Sequence, residues 1–231
     1  MNRRNLLSLC YFIPAVLLIA ACSNTSKYLT EPMPESGFLP NYKLLQAVPD
    51  TPQDIRMWRY RDANVDPNKY TGVILTPIYL NQTQTQQVSA ETLAQVKATL
   101  QASMVNAING KSNISIVQKP GPGVARVSVG ITGAEMTANS LQPWNFTPIG
   151  LALNAAAYAG GVNSKTPALL VESKITDSQS KEVIGEGLVT VQGESFRTGG
   201  GSVESFVAMA KKVVRVAMEA SANAATTSAA Q

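Results

Sequence analysis

Four glutamates are the residues in this chain whose spacing first suggests chemistry. Glu182, Glu186 and Glu194 share strand parity in one stretch, and Glu172 lies in the stretch before it. Two carboxylates facing each other across a cleft could hydrolyse a glycosidic bond, one as acid and one as base or nucleophile. Lys174 sits near them, however, and could serve as a cross-strand partner on a solvated strand face, which is the reading we adopt. A second candidate is "RTGGGS" (197–202), whose amides could cradle an anion ahead of a helix. It lacks the lysine and spacing of a phosphate loop, so it reads as a flexible lead into the helix. A serine paired with Lys211 or Lys212 has no motif to fix the two groups together.

Composition removes most other chemistry. The 231 residues contain no histidine and two cysteines, Cys10 and Cys22. Without histidine there is no Ser-His-Asp or Cys-His nucleophile and no imidazole metal ligand. What survives is carboxylate, lysine, serine or tyrosine chemistry, or an all-oxygen cation site; with no motif for any of these, we expect no catalytic residue, no cofactor and no metal site.

Cys22 is different, because its surroundings read as a processing signal. Arg3 and Arg4 precede an apolar run from Leu6 to Ala21. That is the plan of a secretory signal. Pro14 interrupts the run, which is short for a membrane span of roughly 20 residues. Ile19-Ala20-Ala21-Cys22 resembles the lipobox of bacterial lipoproteins, in which small residues admit a peptidase and the thiol receives a diacylglycerol. Residues 1–21 then form a signal peptide, and Cys22 carries the lipid, palmitate among its acyl chains. Several acyl chains hold durably where one binds marginally. Ser23 follows the cysteine in place of an aspartate, which favours the outer membrane, facing the periplasm. Loss of the two arginines from the 19 basic residues, against 15 acidic ones, lowers the net charge from +4 to +2. Such a surface gives no warrant for nucleic-acid binding.

The remaining chain must supply the elements that would position any site. Residues 22–35 are polar and proline-bearing, as in a tether. Residues 36–71 carry four prolines among Phe38, Tyr42, Trp58, Tyr60 and Tyr70, and read as an extended segment wrapping the domain. One domain is expected over 72–220. "GVILTPIYL" (72–80) is a buried strand with Pro77 marking a bulge or edge. Ser89 caps a helix whose Leu93, Val96, Leu100, Met104 and Ile108 recur at helical spacing to Asn109-Gly110. "NISIVQ" (113–118) and "VARVSVGIT" (124–132) alternate as strands around a turn at 119–123. "ALLVESKIT" (168–176) and "EVIGEGLVTVQ" (182–192) form a hairpin. Ser202 caps a second helix with Val203, Phe206, Val207, Ala210, Val213, Val214 and Ala217 on one face. Residues 221–231 read as a disordered tail.

These elements predict an α/β (α+β) fold: a two-layer sandwich of a mainly antiparallel sheet and two amphipathic helices, with a short apolar helix besides. That third helix is "TPIGLALNAAAYAGG" (147–161), apolar all round and about 20 Å long, too short to cross a bilayer. It reads as core or sheet-edge cover. Alternatively Ile149, Leu151, Leu153 and Tyr158 contact an envelope partner or lipid.

Four stretches carry a resemblance in the same order along the chain. They are Ser36-Gly37-Phe38-Leu39 with Tyr42, Trp58 with Asp66-Pro67-Asn68-Lys69-Tyr70, Thr76-Pro77-Ile78, and Ile175-Thr176-Asp177 with Lys181-Glu182-Val183-Ile184. Together they resemble a family of uncharacterised bacterial envelope lipoproteins typified by YdcL. The resemblance implies a lipid-anchored domain and supplies no catalytic residue. The functional expectation is a non-catalytic envelope lipoprotein that binds or scaffolds another component. The alternatives are a ligand-binding lipoprotein and a carboxylate hydrolase.

Overall fold

The structure is a computed structural model describing residues 33–138, 165–196 and 201–228. Its centre is an eight-stranded mixed sheet. The strands are β1 (Gln46–Ala47), β2 (Ile55–Arg61), β3 (Gly72–Leu75), β4 (Tyr79–Leu80), β5 (Ser115–Ile116), β6 (Val124–Ala138), β7 (Lys165–Asp177) and β8 (Val183–Gln192). Their order is β1-β2-β8-β7-β6-β3-β5, with β4 also pairing β6. The long strands β2, β8, β7 and β6 run antiparallel, while the short β3, β4 and β5 join in parallel. The expected mainly antiparallel two-layer α+β arrangement is what forms.

Alternation along each strand sends odd and even residues to opposite faces. Ile55, Met57, Leu169, Val171, Val189 and Val191 meet the helices. Trp58, Ala168, Leu170 and Leu188 face the other way. A bulge between Ile131 and Gly133 shifts β6, so that Val129, Ile131 and Ala134 all face the helices.

Helix α1 (Ala90–Asn109) starts at Ser89, whose side chain accepts the Thr92 amide at 3.1 Å. Thr92, Leu93, Val96 and Leu100 form its buried stripe, with Met104 partly buried. Helix α2 (Gly201–Ser228) buries Phe206, Met209, Ala210 and Val213 against the same core. Full burial of a side chain such as Phe206 contributes about 2 kcal/mol relative to exposure.

Several boundaries differ from the sequence reading. "GVILTPIYL" is two strands, because Pro77 has no amide to donate and the ladder stops after Thr76 bonds Val127 at 3.0 Å. Residues 113–118 supply only the two-residue β5. It lies across β3 from β6, so the 119–123 turn joins parallel strands and closes no hairpin. Ser202 lies within the first turn of α2, not at its cap, and the helix continues to Ser228 past the 220 boundary. The 36–71 segment is more than a wrap. Its β2 pairs with β8 over seven residues inside the sheet, bracketed by Pro52 and Pro67 rather than broken by them. Its first part, with residues 33–35 before it, forms a strap (residues 33–45) over the face away from α1 and α2, where Leu39 and Leu45 pack on Trp58, Leu170 and Leu188. The short helix expected at 147–161 lies outside the described residues.

Candidate functional site

The sheet face away from α1 and α2 holds Glu172 and Glu186, and their surroundings overturn the solvated-face reading. Glu172 on β7 is 0% exposed and Glu186 on β8 is 3% exposed. Register explains both. Even-numbered residues of β7 and β8 point to the face that the strap covers, and Glu172 lies opposite Leu188, itself fully buried.

Glu172 is closed off by two strap residues. Ser36 donates its hydroxyl to one carboxylate oxygen, and Tyr42 donates to the other at 3.0 Å. The Tyr42 oxygen in turn accepts the amides of Ser36, Gly37, Phe38 and Leu39 at 3.1, 2.9, 3.1 and 3.3 Å. Gly37 makes this convergence possible, since its φ of +84° curls the chain through a region that glycine enters freely. Burial holds the Glu172 carboxyl above the usual range, while the Ser36 and Tyr42 hydrogen bonds pull it back down.

Glu186 is treated less well. Neither of its oxygens has a hydrogen-bond partner. Burial raises its pKa, the Lys174 charge lowers it, and the Glu172 charge raises it again. Lys174 lies directly opposite Glu186 in the ladder, which accounts for the first opposing influence. The two glutamates are diagonal cross-strand neighbours, roughly 7–8 Å apart at the backbone. Two-carboxylate hydrolysis would need both acids to face one cleft. The chemistry also needs room for a sugar and a water, and here the strap takes that room. Two cavities of about 400 Å³ lie elsewhere, one beside Leu80, Val88 and Leu93, the other beside Asp54, Gln192 and Lys212.

The other candidates do not assemble. Glu182 and Glu194 are exposed at opposite ends of β8, separated by roughly 30 Å of strand. Lys212 is paired with Asp54, and Lys211 points to solvent, so neither forms a serine–lysine dyad. Most of "RTGGGS", together with Cys22, Ile149, Leu151, Leu153 and Tyr158, lies outside the described residues. Among the described residues no group of three or more acidic, cysteine or histidine side chains could hold a metal, and no helix is long and apolar enough to cross a membrane.

Sequence reasoning missed Ser36 and Tyr42 as partners of Glu172, although both stand in the "SGFL…Y" stretch. A second pair of motif residues also meets: Tyr70 donates to Asp177 at 3.0 Å, tying the 66–70 turn to the β7–β8 hairpin. Burial raises the Tyr70 pKa, while the Ser180 and Gln179 amides hold Asp177 below the usual carboxylate range.

Comparison with known proteins matches residues 34–220 to the family described as protein of unknown function (DUF3313). The uncharacterised lipoprotein YdcL of Escherichia coli K12 is 25% identical over 175 residues, covering 74% of this chain and 77% of its own. A DUF4136 family protein from Bacteroides thetaiotaomicron is similar at a TM-score of 0.40 and 11% identity, over 73% of this chain and 96% of that one. A lipoprotein from Neisseria meningitidis is similar at a TM-score of 0.36 and 10% identity, over 64% and 98%. The four ordered stretches all fall within a matched region spanning most of the chain, which belongs to the DUF3313 family of proteins of unknown function.

Proposed function

We propose that this protein is an envelope lipoprotein, held in the outer membrane by lipid on Cys22 and facing the periplasm, with a binding or scaffolding role and no reaction of its own. The observation that carries the non-catalytic reading is the closed carboxylate face. Glu172 and Glu186 are the acids best placed for chemistry, and the strap that joins the domain to its tether lies across them. A bond between Tyr42 and Glu172 makes that cover part of the fold. The lipobox-like Ile19-Ala20-Ala21-Cys22 and the lipoprotein relative support the anchor.

Metabolic labelling with palmitate tests the anchor. The native chain takes up label and partitions with outer-membrane fractions, and Cys22→Ser takes up none. Uptake by Cys22→Ser overturns the lipobox reading. Purified protein incubated with peptidoglycan sacculi should release no soluble fragments. Release that disappears in Glu172→Gln/Glu186→Gln, with the fold retained, would establish the hydrolase instead.

A further inference from the structure

The two large apolar side chains most exposed among the described residues are one on the strap and one on β4. Tyr79 is 49% exposed and Leu44 is 42% exposed. Tyr79 stacks on Phe38 of the strap, with ring centroids 5.5 Å apart and planes inclined by 23°. Phe38 lies over Gly130, where an added Cβ would sit 3.1 Å from the ring, so the absence of a side chain seats the aromatic pair. The Lys174 ammonium is 6.0 Å from the Phe38 ring centroid, and Lys43 is exposed beside Leu44. Aromatic rings with cations at their rim, set on an outer surface, have the amphipathic chemistry that settles at a bilayer's headgroup boundary.

Chain length selects the bilayer over other occupants. Met33, the first strap residue, follows Cys22 by 11 residues. Fully extended, that tether reaches about 37 Å. As a flexible chain it averages about 18 Å. Phe38 comes only five residues later, so the strap that seats the aromatic pair is the first described part of the chain after the lipid. Such tethering presents the bilayer to this surface at high effective concentration.

We propose that the strap's outer face, with Phe38, Tyr79 and Leu44, docks on the membrane that carries the Cys22 lipid, with Lys174 and Lys43 against headgroup phosphates. This rests on the lipoprotein reading. Docking orients the sheet's strap side toward the bilayer and leaves α1 and α2 facing the periplasm.

Full-length lipidated protein in phosphatidylethanolamine–phosphatidylglycerol vesicles tests it. Once Cys22 is acylated and the signal removed, the chain has no other thiol, so single nitroxides can be placed by Tyr79→Cys, Leu44→Cys and Glu219→Cys. Labels at 79 and 44 should lose collisions with an aqueous nickel chelate and gain collisions with oxygen. The label at 219, on an exposed part of α2, should remain aqueous. If protein floats with the vesicles but all three labels stay aqueous, the docking proposal fails and the anchor stands. If the protein does not float, the anchor itself fails and takes the proposal with it. Spin–spin broadening at 79 that persists on dilution with unlabelled lipid would place a second copy on the patch and overturn membrane docking.

Discussion

Tyr42 donates to Glu172 across 3.0 Å, joining residues 130 positions apart in the chain. The same phenol oxygen lies within hydrogen-bond reach of four amides of the strap turn, so one hydroxyl links a buried acid to the loop that covers it. Neither partner has a cheap substitute, because a buried polar group without a partner costs more than its hydrogen bond gains. The strap is therefore fastened at one point as well as packed through Leu39 and Leu45.

Tyr42→Phe tests that fastening. It keeps the ring against Leu39 and Leu45 while removing the donor to Glu172 and the acceptor for the amides. The expected loss is about 2 kcal/mol. At roughly 2–4 °C per kcal/mol for a domain of this size, the melting temperature should fall by roughly 4–8 °C. Trypsin should also cut sooner at Lys43. An unchanged melt would mean that apolar packing alone holds the strap.

Gly123→Ala probes the turn that feeds β6. Gly123 has a φ of +67°, and a Cβ there would sit 2.7 Å from the Lys69 carbonyl oxygen. Backbone on both sides cannot give way, since the Gly123 carbonyl also accepts the Thr71 and Gly72 amides at 2.9 and 3.1 Å. Strain of this kind costs of order 1–3 kcal/mol. A chemical-denaturation midpoint lowered with an unchanged slope is the expected result; a stable variant would show that the 121–124 turn has room to relax.

How much of this was readable beforehand depends on the distance over which the information acts. Helix α1 was legible because its stripe and the Ser89 cap are local. The β7–β8 hairpin was legible because Asp177, followed by small polar residues, makes its own turn by accepting the Gln179 and Ser180 amides at 2.8 and 2.9 Å. Strand β2 was obscured by prolines that bracket it, and by Ile55, Met57 and Trp58 being buried on both faces, which erases polar alternation. Parity grouped Glu186 with Glu182 and Glu194 and left the side taken by Glu172 open, since only the register of β7 on β8 sets it. It could not say that a strap from the far end of the chain covers them, because that contact has no local signature.

Glu186 provides the sharpest consequence of that cover. Burial places its folded-state pKa above the ordinary 4.5, against the opposing pull of Lys174. The folded protein therefore binds this proton more tightly than the unfolded chain does, and Glu172 contributes in the same direction. For groups of this kind stability is fully present below the unfolded value and declines as pH rises through the folded one. Asp177 has the opposite sign, its pKa being lowered, but its contribution is lost only below about its ordinary 3.8, so a scan starting near pH 4.5 leaves it aside. Urea midpoints of the native protein should fall between pH 4.5 and pH 8. Glu186→Gln keeps the shape and removes the charge, so its midpoints should fall less across that range, making it the more stable chain at pH 8 relative to its own value at pH 4.5. Adding Glu172→Gln should flatten the profile further. If native midpoints instead rise with pH, pairing of Glu186 with Lys174 outweighs its burial, and the acid is a salt-bridge partner rather than a carboxyl whose ionisation burial opposes.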